Sequence, residues 1–223
     1  HLAFHYLEFM KGRAYLNKQD ARAKIHLLNF VQKFSGQHFI KEAYQKLAWY
    51  ELSMNNDVGA YKKYMTECLG KGKSLVDEDK QAEKEAKAGT VPFSFLLKAR
   101  LYYDGGYYMQ SLDVLLKNDK FPIQNPASRL EYYYRLGRVY QAQTNYTKAI
   151  QCLKYVLNYG AASNSYFAAS AALQMGLMYE SEQKWSSALH FFQKCLDIDA
   201  DEYKTSLHQK AKSGVQRVEL KLK

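Results

Sequence analysis

Proline and glycine are scarce in this chain, 3 and 12 in 223 residues, which removes most of the places where a polypeptide of this length usually divides into domains. One continuous architecture is the expectation. Cysteine is scarce too: Cys68, Cys152 and Cys195 are odd in number and far apart, so neither a disulfide framework nor a zinc knuckle is indicated and they read as buried free thiols. No run of about 18 apolar residues is present, so no membrane span is expected, and no stretch has the basic, apolar and small-residue order of a signal sequence. An initiator methionine is also missing. The opening His1-Leu2-Ala3-Phe4-His5-Tyr6-Leu7 reads as the inside of a helix, which points to a fragment whose upstream part, with any targeting signal, lies outside the sequence.

Catalytic patterns are equally sparse. Of the six histidines only His1 and His5 share the four-residue spacing of a helical metal pair, and a chance pairing explains them. Gly70-Lys71-Gly72-Lys73-Ser74 has the residue types of a phosphate loop without its spacing or a preceding strand, and reads as a basic linker. No catalytic residue, metal ligand or cofactor is therefore assigned, and the chain is not expected to be an enzyme.

What is present is a chain able to fold, with 47% apolar and 24% charged residues. Its apolar content is unusual in kind, with 20 tyrosines and 11 phenylalanines, large rings suited to half-buried seams and binding grooves. A formal charge of +10 favours acidic partners, anionic surfaces or nucleic acid, and does not choose among them.

Self-similarity organises the rest. Tyr133, Leu136, Gly137 and Tyr140, followed by Ala149 and Leu153, match Ala172, Met175, Gly176 and Tyr179, followed by Ala188 and Phe192. Glycine at the third position lets a neighbouring helix approach closely, and the small Ala149 and Ala188 let a second helix cross the first. Phe95, Ala99, Tyr102, Gly106, Tyr108, Ser111 and Leu115 form another copy. A weaker one is Tyr44, Leu47, Ala48, Ala60 and Tyr64, with Glu51 in the tyrosine position and Asp57 in that of the turn aromatic. The first copy, Gly12 and Tyr15 with Lys24, Leu28 and Val31, lacks the crossing alanine.

These positions resemble the tetratricopeptide repeat, a pair of antiparallel helices of about 34 residues. The resemblance implies an all-α fold, a right-handed α-solenoid of about five such hairpins, near residues 5–38, 41–70, 92–125, 130–163 and 169–202. The odd interval, residues 71–91, runs from acidic to basic and ends at Gly89, so a short, solvated and peripheral helix is expected there. Residues 203–222 place Tyr203, Leu207, Ala211, Gly214, Val215 and Val218 at helical spacing and read as a capping helix with a polar outer face.

In that family the first helix of each hairpin lines a concave groove that receives a partner. Carried to this chain, the residue after each small position gives Arg13, Trp49, Arg100, Arg138 and Leu177, and neighbours on the same face add Tyr103, Tyr134, Gln141, Gln45, Phe9 and Glu180. Such a groove, basic and aromatic in its middle, suits an acidic or aromatic peptide. The Lys and Asn clamp by which some family members grip a chaperone's C-terminal carboxylate is absent, although Arg135 and Arg138 fall in its neighbourhood. The expectation is a protein-interaction scaffold, with a bacterial assembly role in the cytoplasm or cell envelope. Nucleic-acid binding and homo-oligomerisation are the alternatives.

Overall fold

The computed structural model describes residues 4–120, 125–163 and 165–223. Among them the chain is all-helical, with twelve α-helices and a single 3-10 turn, Ala161–Ser163. Contacts gather them into two compact units, His1–Asp119 and Lys120–Lys223. The His1 half of the histidine pair lies outside the described residues.

The first unit contains α1 (His5–Asn17), α2 (Arg22–Lys33), α3 (Ile40–Asn55), α4 (Val58–Gly70), α5 (Asp77–Ala88), α6 (Ser94–Asp104) and α7 (Tyr108–Lys117). The second contains α8 (Pro126–Ala142), α9 (Tyr146–Gly160), α10 (Tyr166–Ser181), α11 (Trp185–Asp197) and α12 (Lys204–Leu222). Helix pairs α1–α2, α3–α4, α6–α7, α8–α9 and α10–α11 pack as hairpins.

Missing side-chain volume brings the helices of a pair together. A Cβ on Gly12 would lie 2.7 Å from Leu27, one on Gly137 2.8 Å from Leu153, and one on Gly176 2.6 Å from Phe192. Four of the five hairpins turn alike. The carbonyls of Tyr15, Tyr102, Tyr140 and Tyr179 accept the N–H of the residue five positions on, and Gln19, Gly106, Thr144 and Gln183 take the left-handed conformation just before it. In the α3–α4 turn the Glu51 carbonyl instead accepts from Asp57, six positions on, with Asn56 left-handed. That extra residue rotates α4, so Tyr61, Met65 and Cys68 face the core while Ala60, the expected crossing residue, is half-buried. The first hairpin differs in the opposite sense. There Ala23 and Leu27 are the inward residues, one position before Lys24 and Leu28, so a crossing alanine is present after all.

Helix α5 forms where the charge pattern placed it, with Asp77, Glu78 and Asp79 in its first turn and left-handed Gly89 at its end. Its position differs from the solvated one expected, because α5 packs against α3 and α4 and buries Asp79, Ala82 and Ala86. The reason is electrostatic. Phe39, the residue that caps the start of α3, brings no capping side chain of its own, and the Asp79 carboxylate accepts the N–H groups of Phe39 (2.7 Å) and Glu42 (3.0 Å) from across the fold. At the far end of α4, Lys41 donates to the carbonyls of Cys68 (2.9 Å) and Leu69 (3.2 Å), which have no partner inside their own helix. With α5 beside α4, the next hairpin docks through α6 on α3 and α1. The Ser94 hydroxyl donates to the Leu52 carbonyl at 3.0 Å, and Gly105 lies close against Asn17.

In the second unit α12 covers α10 and α11 with Leu207, Ala211, Gly214 and Val218. Its outer face carries Lys210, Lys212 and Lys221, and Arg217 makes a two-pronged pair with Glu180 at 2.7 and 2.8 Å. All three cysteines are free, Cys68 and Cys195 buried and Cys152 half-buried.

Candidate partner-binding site

Two first helices of the first unit, α3 and α6, each place a cation over one aromatic ring, and a third, α1, adds a cation beside them. Trp49 on α3 is buried, 3% exposed, and its indole N–H donates to Glu85 Oε1 of α5 at 2.8 Å. Over the same ring lie Lys46 Nζ, 3.7 Å from the centroid, and the Arg100 guanidinium of α6, 4.6 Å away. Arg13 of α1 approaches through a shared anion: its Nε is 3.8 Å from Glu42 Oε1, and Lys46 Nζ is 3.4 Å from that oxygen. Arg13 and Arg100 keep about 40% of their side chains exposed, whereas Lys46 keeps 12%. Burial pulls the Lys46 ammonium down to about 8; Arg100 and Arg13 push the same way, and Glu42 and Glu85 oppose them.

Sequence spacing thus names Arg13, Trp49 and Arg100, which the fold brings to one locality, and misses Lys46 and the α5 carboxylate that completes it. Lys46 lies three residues before Trp49 on the same helix, so face periodicity was the available signal. Glu85 had none, because only the tertiary position of α5 joins it to Trp49, to Gln45 Nε2 (2.6 Å) and to the Tyr61 hydroxyl (3.2 Å). Trp49 consequently acts as a covered platform beneath the cations. Tyr103 turns toward its hairpin partner, its ring 5.3 Å from that of Tyr108. Phe9 is no groove residue, since it is fully buried against Phe30 in the core of the first hairpin. The basic linker after Gly70 joins α4 to α5, with the Ser74 hydroxyl bonded to Glu83.

The second unit presents a polar face along α8 and α10. Arg138 Nη1 donates to the Tyr134 hydroxyl at 3.0 Å, and that hydroxyl is 2.7 Å from Ser170 Oγ of α10. Tyr134 also packs on Phe167, with ring centroids 5.2 Å apart. One turn further, Gln141 Nε2 donates to Gln174 Oε1 at 3.0 Å. Glu180 is committed to Arg217 of the capping helix, and Arg135 pairs with Glu131 within α8.

Among the described residues, no group of three or more His, Cys, Asp or Glu is placed to hold a metal ion, and no helix is long and apolar enough to cross a membrane. Compared with models of known families and with curated proteins, the sequence matches none.

Proposed function

We propose that this protein is a binding scaffold rather than a catalyst, built from tetratricopeptide-like hairpins in a right-handed superhelix, with the first helices of the hairpins receiving a partner protein or peptide. The observation that carries the reading is the cation cluster over Trp49. Arg100 and Arg13 hold guanidinium groups at a partly exposed surface, oriented by a ring and a carboxylate instead of moving freely in solvent. An ordered guanidinium loses less freedom on pairing with a carboxylate, and can do so through two parallel hydrogen bonds. Arg138, steadied by Tyr134, offers the same chemistry on α8. An acidic partner segment fits these groups.

The test is capture of partners from the source cell's lysate with and without nuclease, at low and moderate salt, by wild type and by the Arg100→Ala, Arg138→Ala double variant. A nuclease-resistant protein partner lost in the variant supports the scaffold, provided helicity and melting are unchanged. Undiminished capture by the variant sinks the groove assignment. Recovery that vanishes with nuclease and salt transfers the reading to nucleic acid, which the +10 charge also favours.

A further inference from the structure

A cleft of about 870 Å³ in the first unit lies away from the cation cluster, between the end of α3 and helices α6 and α7. It follows from the α5 insertion. With α5 against α4, the third hairpin leans on α3 and α1 through α6, and among the described residues of this unit α7 packs chiefly on α6. The flank of α7 toward hairpin two is thus left uncovered. Its walls mix polar groups with an apolar set, Met54 from α3, Phe95 and Tyr102 from α6, and Met109 and Val114 from α7. Met109 is 69% exposed, an unusual position for a large apolar side chain, and thioethers adapt their shape to what they meet. The rim carries Lys98, Lys117 and Asp113, two cations to one anion. Lys98 forms no ion pair among the described residues, and Lys117 contacts Asp113 at 2.7 Å while 71% of its side chain stays exposed.

We propose that this cleft is a docking site for an amphipathic helix of a partner protein, with its apolar stripe on Met54, Tyr102 and Met109 and acidic side chains toward Lys98 and Lys117. A helix is favoured over an extended segment for a physical reason. The described residues contain no strand whose edge would pair with an extended backbone, whereas a helix satisfies its own amides before it arrives. Acidic flanks follow from the unpaired Lys98 and from the +10 charge of the whole chain.

Three fluorescein-labelled 14-residue peptides test the proposal by anisotropy: one with leucines on a single helical face and glutamates opposite, the same composition scrambled, and the first with lysine for glutamate. The expected result is saturable one-to-one binding of the first peptide, with the other two at least tenfold weaker. Met109→Glu and Lys98→Glu should each weaken it by about tenfold, a loss of roughly 1.4 kcal/mol, while Arg100→Ala leaves it unchanged, which separates this cleft from the cation cluster. Equal binding of the scrambled peptide, or indifference to both cleft variants, overturns the proposal. Sedimentation velocity supplies the remaining outcome. A concentration-dependent dimer abolished by Met109→Glu would assign the cleft to a second copy of the chain and overturn it as well.

Discussion

Lys46 carries much of the physics of the candidate site. It holds an ammonium 3.7 Å from an indole centroid, with 12% of its side chain exposed, within the fields of Arg13 and Arg100 and of Glu42 and Glu85. Burial lowers its pKa to about 8, while an unfolded lysine titrates near 10.4. The sign of the linkage follows from proton counting. Below pH 8 both states keep the proton and the cost of burying the charge is present in full. Between about 8 and 10.4 the folded protein sheds the proton that the unfolded chain retains, so the Lys46 contribution makes the fold more stable as pH rises, by about 3 kcal/mol across the window. Thiols of the unfolded chain titrate in the same range, so the expected observation is a difference: wild type gains stability relative to Lys46→Met between pH 8 and 10 in urea titrations. Lysine Cε carbon NMR should show one resonance titrating near 8 that disappears in the variant. If every lysine stays charged to pH 10, the site is wetter than its geometry indicates.

At the scale of elements, the hairpins depend on side chains that are absent. The Phe192 ring on α11 lies between two backbones, since a Cβ on either Gly176 of α10 or Gly214 of α12 would come within 2.6 Å of it. Neither side offers the ring room to retreat. Gly176→Ala and Gly214→Ala should each cost about 1–3 kcal/mol by overpacking, read as a lowered urea midpoint at unchanged slope. Gly70, at the end of α4, has nothing within 4 Å of an added Cβ and an ordinary φ, so Gly70→Ala should be neutral or stabilising by up to about 1 kcal/mol. Equal gains at all three positions would show that helix propensity, not close approach, governs them. The helical elements were legible in the sequence because small residues and tyrosines recur at fixed spacing, and α5 because its end charges and Gly89 match a helix. Register inside two hairpins was not legible. A turn one residue longer moved burial from Ala60 to Tyr61, and a tighter first turn of α2, where the Asp20 carbonyl accepts from Ala23 three positions on, moved it from Lys24 to Ala23; both are set by backbone conformation, which spacing counts do not see. The site was legible as far as its arginines and Trp49. Its carboxylate was not, because Glu85 reaches Trp49 from a helix that looks like a charged surface insertion in one dimension.

Over the whole molecule, each unit carries its own buried cores. In His1–Asp119 one core gathers Leu16, Trp49, Tyr61 and Leu101, and another Phe9, Leu27, Phe30 and Leu47. In Lys120–Lys223 one gathers Leu153, Val156, Met175 and Met178, and another Leu173, Phe192, Cys195 and Val218. Two of the three prolines, Pro122 and Pro126, fall just after the division, so the scarcity of proline that argued for one body also marks where the units part. A unit that buries its own apolar surface and caps its own helices has what a chain of about 100 residues needs to fold alone. Fragments 1–119 and 120–223, made separately, should therefore each give helical circular dichroism and a cooperative melt, with the sum of their spectra matching that of the intact chain. The first fragment should also keep Trp49 shielded, with blue-shifted emission and little quenching by iodide, because every group that covers the ring, from Glu85 to Arg100, lies before Asp119. A fragment 1–119 that melts without cooperativity, or in which Trp49 is quenched as readily as free indole, would mean that its core is completed by residues after 119 and that the units fold as one.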